Sequence, residues 1–167
     1  MSHPLIRPRR LRTSEGVRKL VRETVLTPAD FIYPLFVVPG EKVKNEIASL
    51  PGNYHLSPDM AVEAAREVFS LGIPGVEVFG LPGYKDECGS GAWDPASPVQ
   101  EAIRRIKAAL PDLVVIGDVC LCQYTSHGHC GLIKNGGVDN DSSLELLART
   151  ALSQAQAGAD MVAPSDM

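Results

Sequence analysis

Three cysteines lie close together where a predicted strand runs out into a loop. Residues 114–131 read VVIGDVCLCQYTSHGHCG, and their apolar, β-branched beginning predicts a buried strand. Because side chains alternate along a strand, Asp118, Cys120 and, where the extended conformation continues, Cys122 are expected to face one side. Cys130 can return to meet them through a glycine-bearing loop. The end of this strand is therefore the first place to look for chemistry.

Three thiols that converge in this way suit a soft metal ion with tetrahedral coordination, and thiolate sulfur is a preferred ligand of zinc. Three protein ligands leave a fourth position open for water or substrate, which is the arrangement of catalytic rather than structural zinc. The alternative is that these cysteines are small buried apolar residues or form disulfides. A Cys-x-Cys pair with a third cysteine further on indicates a metal less strongly than paired Cys-x-x-Cys motifs do, so spacing alone leaves both interpretations open.

The strand that leads to the cysteines is one of a series of alternating strands and helices. In chain order the pattern predicts a short helix at 17–21, a strand at 31–38, a loop at 39–53, a helix from Ser57-Pro58 to Gly72, a strand at 76–79, a loop at 80–96, a helix from Ser97, a strand at 114–119, a helix that ends at Gly158, and a strand at 161–163. Pro34 is unusual inside a strand, because proline cannot donate to a ladder and normally lies at an edge or a bulge.

The three longer helices each carry an apolar stripe at helical spacing. The stripes consist of Ala61, Val62, Ala65, Val68 and Phe69; of Val99, Ala102, Ile103, Ile106 and Leu110; and of Leu144, Leu147, Ala151, Leu152 and Ala155. Capping boxes are predicted to begin the second helix, from Ser97 and Gln100, and the third, from Ser142 and Glu145. Strands and helices that alternate in this way are typical of a parallel sheet with helical crossovers, either doubly wound or closed into a barrel.

Composition restricts the possible functions. The 167 residues suffice for one domain with a core, and 44% hydrophobic with 22% charged residues is typical of a globular protein. A net charge of −4 argues against nucleic acid as the main partner. No apolar run approaches the roughly 20 residues of a membrane span, and no secretory signal is evident, so a cytoplasmic location is expected. In a reducing cytosol a tight cysteine cluster favours metal over disulfides, with Cys88 standing apart.

The segment 118–131 resembles the metal-binding signature of the porphobilinogen synthase family, whose members are also called 5-aminolevulinate dehydratases. The resemblance extends along nearly the whole chain, through RPRRLR at 7–12, IYPLFV at 32–37, PG at 51–52, FG at 79–80, KD at 85–86 with GS at 89–90, VDND at 138–141, and AGAD at 157–160 with APS at 163–165. Some members carry Asp or Ala in place of these cysteines, so the presence of all three resembles the zinc-dependent branch. The sequence departs from the pattern at His55, where an arginine is common.

The resemblance implies an α/β fold, a (β/α)8 TIM barrel with an extended N-terminal arm. Residues 1–30 would form the arm and a short helix, and residues 31–167 the first half of the barrel, about four β/α units, since such a barrel takes about 250 residues. The family also implies a homo-oligomer, an octamer, in which the arm packs on a neighbouring subunit. An additional Mg²⁺ site outside these residues is left open.

The implied reaction is the condensation of two molecules of 5-aminolevulinate, with loss of two waters, to porphobilinogen on the way to haem. It depends on lysines that form Schiff bases with the substrate ketones. In the family both lysines lie beyond residue 167, so the isolated 167 residues are expected to be inactive. Lys85 follows a strand end, but Asp86 and Glu87 beside it would keep it protonated, which favours a solvated surface position.

The remaining site residues take roles from the same resemblance. Cys120, Cys122 and Cys130 would hold Zn²⁺, which would bind and activate the second substrate. Asp118 would lie near the lysines as a charge partner or proton carrier, and Ser165 would donate a hydrogen bond to substrate. Asp118 could instead be a strand-end residue satisfied by backbone, and Ser165 an ordinary turn residue.

Two further hypotheses concern the histidines and the class of protein. Because the thiols already supply three ligands, His127 and His129 are expected to support or pack around the site rather than bind the metal.

The alternative functions are a non-catalytic, zinc-binding half-barrel and a different Schiff-base barrel aldolase. The cysteine-rich loop argues against the aldolase.

Overall fold

The structure is a computed structural model that describes residues 9–165. Its helices and strands are, in chain order, α1 (Glu15–Leu20), β1 (Ile32–Val37), β2 (Lys44–Glu46), β3 (Tyr54–Leu56), α2 (Pro58–Ser70), β4 (Gly75–Gly80), α3 (Pro98–Ala109), β5 (Val114–Val119), β6 (Ile133–Lys134), β7 (Gly137–Val138), α4 (Asn140–Ala157) and β8 (Met161–Pro164). Single 3₁₀ turns lie at Arg10–Arg12, Pro28–Asp30 and Ser90–Ala92.

Among the described residues the sheet has six strands, and four of them are the parallel strands that were predicted from the alternating pattern. The strand order is β2-β3-β1-β4-β5-β8, and β1, β4, β5 and β8 pair in parallel and in chain order. Helix α3 packs against both α2 and α4, so the three crossover helices lie on one face of the sheet. A doubly wound sheet reverses its strand order and covers both faces, whereas a barrel adds each unit beside the last. The observed order is that of a barrel.

The main core lies between the sheet and these helices. Alternate residues of the strands face the helices there, including Leu35 of β1, Val78 of β4 and Val115 of β5, and they pack against the predicted apolar stripes of α2 and α3. Phe36 and Phe79 lie on the other face, where their rings stack with centroids 5.5 Å apart. The face opposite the helices corresponds to the inside of a barrel, and β5 adds side chains to it.

Pro34 lies in β1 where that strand has a neighbour on one side only. Strand β1 pairs with β4 along its whole length, but with β3 only at Phe36 and Val37. The sheet therefore tolerates a residue that cannot donate to a ladder, as expected for proline near an edge.

The predicted loop at 39–53 is wrong in part, because β2 lies inside it. Strand β2 pairs antiparallel with β3, and the ammonium group of Lys44 lies 4.8 Å from the ring centroid of Tyr54. All three residues of β2 are exposed. A three-residue polar strand has no apolar alternation to signal it, and the backbone pairing that defines it becomes visible only in the fold.

Neither predicted capping box forms. Ser97 occupies the N-cap of α3, yet its side chain makes no capping hydrogen bond. Gln100 points into the interior instead, where its Nε2 donates to the Ala92 carbonyl oxygen (2.9 Å) and to Ser153 Oγ (3.1 Å). Helix α4 begins earlier than predicted, at Asn140, because the side chain of Asp139 accepts from the backbone N–H of Ser142 at 3.2 Å.

The predicted buried face of α4 is also wrong. Leu144 and Leu152 are 55% and 58% exposed, whereas the buried residues of the helix are Ser143, Leu146, Thr150, Ser153, Gln154 and Ala157. The polar members of this set have partners inside the protein, which makes their burial possible. Gly158 ends the helix with φ of 104°, as its position predicted.

The described part of the predicted arm, residues 9–30, has little contact with the sheet. Every side chain in it is exposed except Val17, which is half-buried. Helix α1 begins slightly earlier than predicted because Ser14 Oγ accepts from the backbone N–H of Val17 at 3.2 Å. Residues 1–8 of the arm lie outside the described residues, and the division of the chain at residue 30 stays a prediction.

Candidate metal and active site

The carboxyl end of β5 places a buried carboxylate beside a hydroxyl group from β8. Asp118 is 6% exposed, and its Oδ1 accepts from Ser165 Oγ at 2.5 Å while its Oδ2 accepts from Gln123 Nε2 at 2.9 Å. Parallel pairing of β5 with β8, through Asp118 opposite Ala163, brings the ends of the two strands together. Two predicted site residues that are far apart in sequence therefore meet in the fold.

The three predicted ligand thiols also converge. Cys120 Sγ lies 3.4 Å from both Cys122 Sγ and Cys130 Sγ, and all three sulfur atoms lie within 4.8 Å of one another. The 3.4 Å separations are much longer than the roughly 2.05 Å of a disulfide bond. They are close to the separation of about 3.8 Å that tetrahedral geometry and a Zn–S bond of about 2.3 Å require. The donor set therefore fits a zinc-type ion with little movement.

The pKa of Cys122 reflects its burial and its two neighbouring thiols. Burial, followed by the hydrogen bond and the charge of Cys120 and then those of Cys130, raises the pKa of Cys122 to about 12. Three clustered thiolates would repel one another in the absence of a positive charge. A divalent ion supplies that charge, so binding it would release protons from the cluster.

The loop that carries Cys122 and Cys130 folds back on itself. The backbone N–H groups of Tyr124 and Thr125 both donate to the Leu121 carbonyl oxygen at 2.9 Å, and Thr125 Oγ1 donates to the His129 carbonyl oxygen at 2.8 Å. Tyr124 is buried in this loop, and burial together with the nearby negative charges of Asp118 and Cys120 raises its pKa. The turn returns the chain to Cys120.

His127 supports this loop through both ring nitrogens. Its Nδ1 accepts from the backbone N–H of His129 at 3.2 Å, so its Nε2 carries the proton and donates to the Glu87 carbonyl oxygen at 3.1 Å. The rings of His127 and His129 lie 5.6 Å apart. These contacts are compatible with the supporting role predicted for His127, which stays a prediction.

Asp86 is a structural residue of the site that sequence reasoning missed. Its Oδ1 accepts from the backbone N–H groups of Cys88 (3.1 Å) and Ser90 (2.9 Å), and its Oδ2 from Ser90 Oγ. The Ser90 hydroxyl is the main reason that the pKa of Asp86 falls to about 2. The backbone of Asp86 also bonds to the cysteine loop, through the Tyr124 carbonyl oxygen and the Ser126 N–H. An aspartate at the start of a glycine-bearing loop, whose side chain can accept from the backbone N–H two residues on, is the local turn signal that could have revealed it.

Negative charge accumulates on the inner face of the sheet. Glu77 of β4 lies near Asp118 on this face, and burial, followed by the charge of Asp118, raises the pKa of Glu77. Within residues 9–165 neither carboxylate has an ion pair with a lysine or arginine. Lys85 is exposed to solvent, as predicted. A positive charge that pairs with Glu77 or Asp118 would therefore have to come from outside residues 9–165.

One cleft of the structure is not part of this site. It has a volume of about 540 Å³ and lies between β1, β3 and α2, where Tyr33, Tyr54 and Met60 are among its lining residues. None of the residues that line it is Asp118, Ser165 or one of the three clustered cysteines.

Comparison with known protein families gives a match over almost the whole chain. Residues 5–167 match the family model described as delta-aminolevulinic acid dehydratase. The chain is 56% identical to the delta-aminolevulinic acid dehydratase of Synechococcus elongatus over 168 aligned residues, which cover 98% of the chain and 52% of that protein. It is 53% identical to the Bacillus subtilis protein of the same name, over 100% of the chain and 52% of that protein. The chain thus spans about half the length of the curated relatives it matches.

A solved structure agrees with the observed fold. The crystal structure of delta-aminolevulinic acid dehydratase from Toxoplasma gondii, in complex with the reaction product porphobilinogen, superposes with a TM-score of 0.89 at 37% sequence identity. The match covers 97% of this chain and 47% of that one. This confirms the predicted α/β barrel fold, of which the chain contributes the first half.

Proposed function

Because this chain belongs to the delta-aminolevulinic acid dehydratase family, we propose that the complete protein is a porphobilinogen synthase. It would condense two molecules of 5-aminolevulinate, with loss of two waters, to porphobilinogen in tetrapyrrole biosynthesis. The observation that carries the proposal is the buried Asp118 carboxylate, bonded to Ser165 and next to three convergent thiols at the carboxyl end of β5. Barrel enzymes place their active sites at this end of the strands.

Asp118 would act through its unpaired negative charge. Its two side-chain partners, Ser165 and Gln123, are neutral donors that fix the orientation of the carboxylate without pairing it with a positive charge. A buried carboxylate without a countercharge attracts a cationic group, such as a protonated lysine or the ammonium group of 5-aminolevulinate. Either oxygen of Asp118 could then accept a proton from that group. The Ser165 hydroxyl would bind substrate or hold the carboxylate.

Cys120, Cys122 and Cys130 would hold a zinc ion. When bound, zinc acts as a Lewis acid that binds the second substrate and favours the unprotonated, nucleophilic form of its amino group. The spacing of the three sulfur atoms supports this assignment, as does the buried position of Cys120. The loop bonds of Thr125 and His127 would keep Cys130 close to the other two thiols.

The nucleophilic lysines would come from outside these residues. The described lysines are in ion pairs, at the surface or in other parts of the fold, and the polar contacts of Asp118 are with neutral groups. The family resemblance places both Schiff-base lysines beyond residue 167, so the 167 residues alone should produce no porphobilinogen. A further Mg²⁺ site, if one exists, would also lie outside them.

Assembly would involve the N-terminal arm. The arm exposes Leu20, Val25 and Leu26, which are 86%, 72% and 70% exposed. Apolar side chains in such an extended segment are suited to packing on a neighbouring subunit, which supports a homo-oligomer and is compatible with the implied octamer.

No helix in residues 9–165 is both long and apolar enough to cross a membrane. We propose a cytoplasmic location.

The test combines metal analysis with turnover of the complete protein. The wild type should carry about one zinc per chain and convert 5-aminolevulinate to porphobilinogen, and Cys120→Ala should lose both properties. Cys88→Ala is the matched control, since Cys88 Sγ lies against Asp86 and outside the cluster. Retention of metal and turnover by Cys120→Ala would overturn the zinc assignment. Zinc binding without turnover by the wild type would favour the non-catalytic half-barrel.

A further inference from the structure

Gln154 of α4 contacts the strand that carries the candidate site from the helix side of the sheet. Its side chain is 1% exposed, and its Nε2 donates to the Asp118 backbone carbonyl oxygen at 2.8 Å. Its Oε1 is buried and has no hydrogen-bond partner within residues 9–165. An apolar side chain of similar size would avoid leaving a buried oxygen unsatisfied, so the benefit of glutamine at this position lies in its donor group.

The strand is adapted to receive this amide. A Cβ atom on Gly117 would overlap with the side-chain amide of Gln154, so the glycine provides the space through which the amide reaches Asp118. Glycine in a strand sacrifices packing and backbone entropy, and it is typical of places where another group approaches the backbone closely. Pairing of β5 with β4 ends at Gly117, one residue before the carbonyl group that Gln154 binds.

The contact fixes the orientation of two site residues. Because side chains alternate along β5, Gly117 faces the helices while Asp118 and Cys120 face the inner side of the sheet. A rotation of the backbone at Asp118 would turn both side chains away from Ser165 and from the other thiols. Pairing with β8, in which Asp118 lies opposite Ala163, restrains this backbone, and the hydrogen bond from Gln154 adds a second restraint where the ladder to β4 has ended.

We propose that Gln154 is a positioning residue for the candidate site. From the helix side of the sheet it holds the Asp118 carbonyl group, and this keeps the side chains of Asp118 and Cys120 pointing to the inner face. The inference rests on the proposed function only in assigning a metal to the thiols. Groups that orient metal ligands commonly change metal affinity by 10–100-fold when they are removed, although they do not touch the metal.

Gln100 provides a matched control. It is also a fully buried glutamine on a crossover helix, its Nε2 also donates to a backbone carbonyl oxygen, and its Oε1 is likewise unsatisfied. Its acceptor is Ala92, which lies in a loop and not in β5. Gln154→Met removes one side-chain hydrogen bond, whereas Gln100→Met removes two, since Gln100 also donates to Ser153 Oγ. The control should therefore disturb folding at least as much as Gln154→Met does.

The experiment uses the complete protein with Co²⁺ as the probe, because thiolate coordination of cobalt gives charge-transfer absorption that reports the ligand geometry. Gln154→Met is expected to weaken Co²⁺ binding about tenfold or more and to alter the spectrum, whereas Gln100→Met keeps the spectrum and an affinity within about twofold of wild type. Equal changes in both variants, or none in Gln154→Met, would overturn the proposal.

A second readout does not depend on metal. In the metal-free protein, the reaction rate of Cys120 with a thiol reagent can be followed by peptide mass spectrometry. Cys120 is 5% exposed, so its labelling should be slow in the wild type and in Gln100→Met and several-fold faster in Gln154→Met. If the wild type binds no Co²⁺, the proposed metal assignment fails, and the Cys120 labelling rates alone decide whether Gln154 positions the strand.

Discussion

The two ends of β5 are held by different chemistry. At the amino end, Asp160 accepts from the backbone N–H of Val115 (2.8 Å) and forms an ion pair with Lys107, whose Nζ lies 2.9 Å from Asp160 Oδ2. Lys107 also donates to the carbonyl oxygens of Pro111 and Leu113. At the carboxyl end, the side chain of Asp118 is bound within residues 9–165 by the neutral side chains of Gln123 and Ser165, and its backbone carbonyl group by the neutral amide of Gln154.

We interpret the amino end of β5 as the end that serves stability and the carboxyl end as the one that serves function. A charge that is paired at the amino end contributes to folding and cannot bind a second cation or accept a proton readily. A charge that is oriented by neutral donors at the carboxyl end keeps its ability to attract a cation or accept a proton. Barrels generally place stabilising residues at the amino ends of their strands and reactive ones at the carboxyl ends. Changes at the carboxyl end should therefore affect turnover or metal binding, and changes at the amino end should affect stability.

The largest effect is expected from removing the unpaired charge. Asp118→Asn keeps the size of the side chain and, through Oδ1, the bond from Ser165, while the Gln123 amide must turn so that its oxygen accepts from the new Nδ2. Turnover of the complete protein should fall about 100-fold or more, the usual contribution of a positioned acid or base. Metal content and the midpoint of thermal unfolding should stay unchanged. Asp112→Asn, at an exposed aspartate before the same strand, is the control. Normal turnover in Asp118→Asn would reduce Asp118 to a structural strand-end residue.

The second effect concerns the pH dependence of metal binding at the carboxyl end. With a pKa of about 12, Cys122 is protonated in the metal-free protein at neutral pH and must lose its proton when a metal binds. Zinc affinity should therefore rise at least about tenfold for each pH unit between pH 6 and 8. Competition titrations with a chelating dye measure this. An affinity that is independent of pH would mean that Cys122 is not a ligand.

A cation introduced next to Asp118 would give the carboxyl end of β5 a paired charge, like the one at its amino end. In Gln123→Lys the ammonium group can reach Asp118 Oδ2, where Gln123 now donates. A countercharge at this distance lowers the pKa of a carboxylate by 1–3 units, so we expect turnover to fall on the order of tenfold. The free energy of unfolding should not decrease. Gln123→Met, which adds no charge, should reduce turnover less, and equal effects of the two variants would argue against the role of the unpaired charge.

The smallest effect on activity is expected at the amino end. Burial raises the pKa of Asp160, but the hydrogen bonds from Lys107 and Val115 outweigh this and hold it below its ordinary value. Its contribution to stability is therefore present above pH 4 and is lost as the pH falls through the lowered folded-state pKa. Asp160→Asn should lower the free energy of unfolding at pH 7 by about 1 kcal/mol, since the pair is partly exposed.

Urea denaturation at pH 7 and pH 3 measures this contribution. Asp160→Asn should be less stable than the wild type at pH 7, and the difference should become smaller at pH 3. The variant should keep normal turnover. A loss of turnover without a loss of stability would contradict the assignment of this end of β5 to folding.

Hydrophobic spacing in the sequence predicted the buried residues of a helix correctly where that helix packs against an apolar core. The stripe of α3 was predicted correctly because Val99, Ala102, Ile103 and Ile106 all face the sheet. The same reasoning failed on α4, where Ser153 and Gln154 are buried and Leu144 is exposed. Hydrophobic periodicity assumes an apolar partner, whereas α4 also packs against polar groups, since Ser153 accepts from Gln100 of α3 and Gln154 donates to the Asp118 carbonyl oxygen.

The sequence by itself determined four of the strands (β1, β4, β5 and β8), the crossover helices, the convergence of three cysteines at the end of one strand and, through a specific signature, the family. These features depend on short-range spacing and on residue type. The tertiary structure alone decided that Ser165 bonds to Asp118, that Asp86 anchors the cysteine loop and that Gln154 reaches the site strand. Each of these contacts joins residues that are distant in sequence, and which of several possible donors or acceptors they find depends on how whole elements pack.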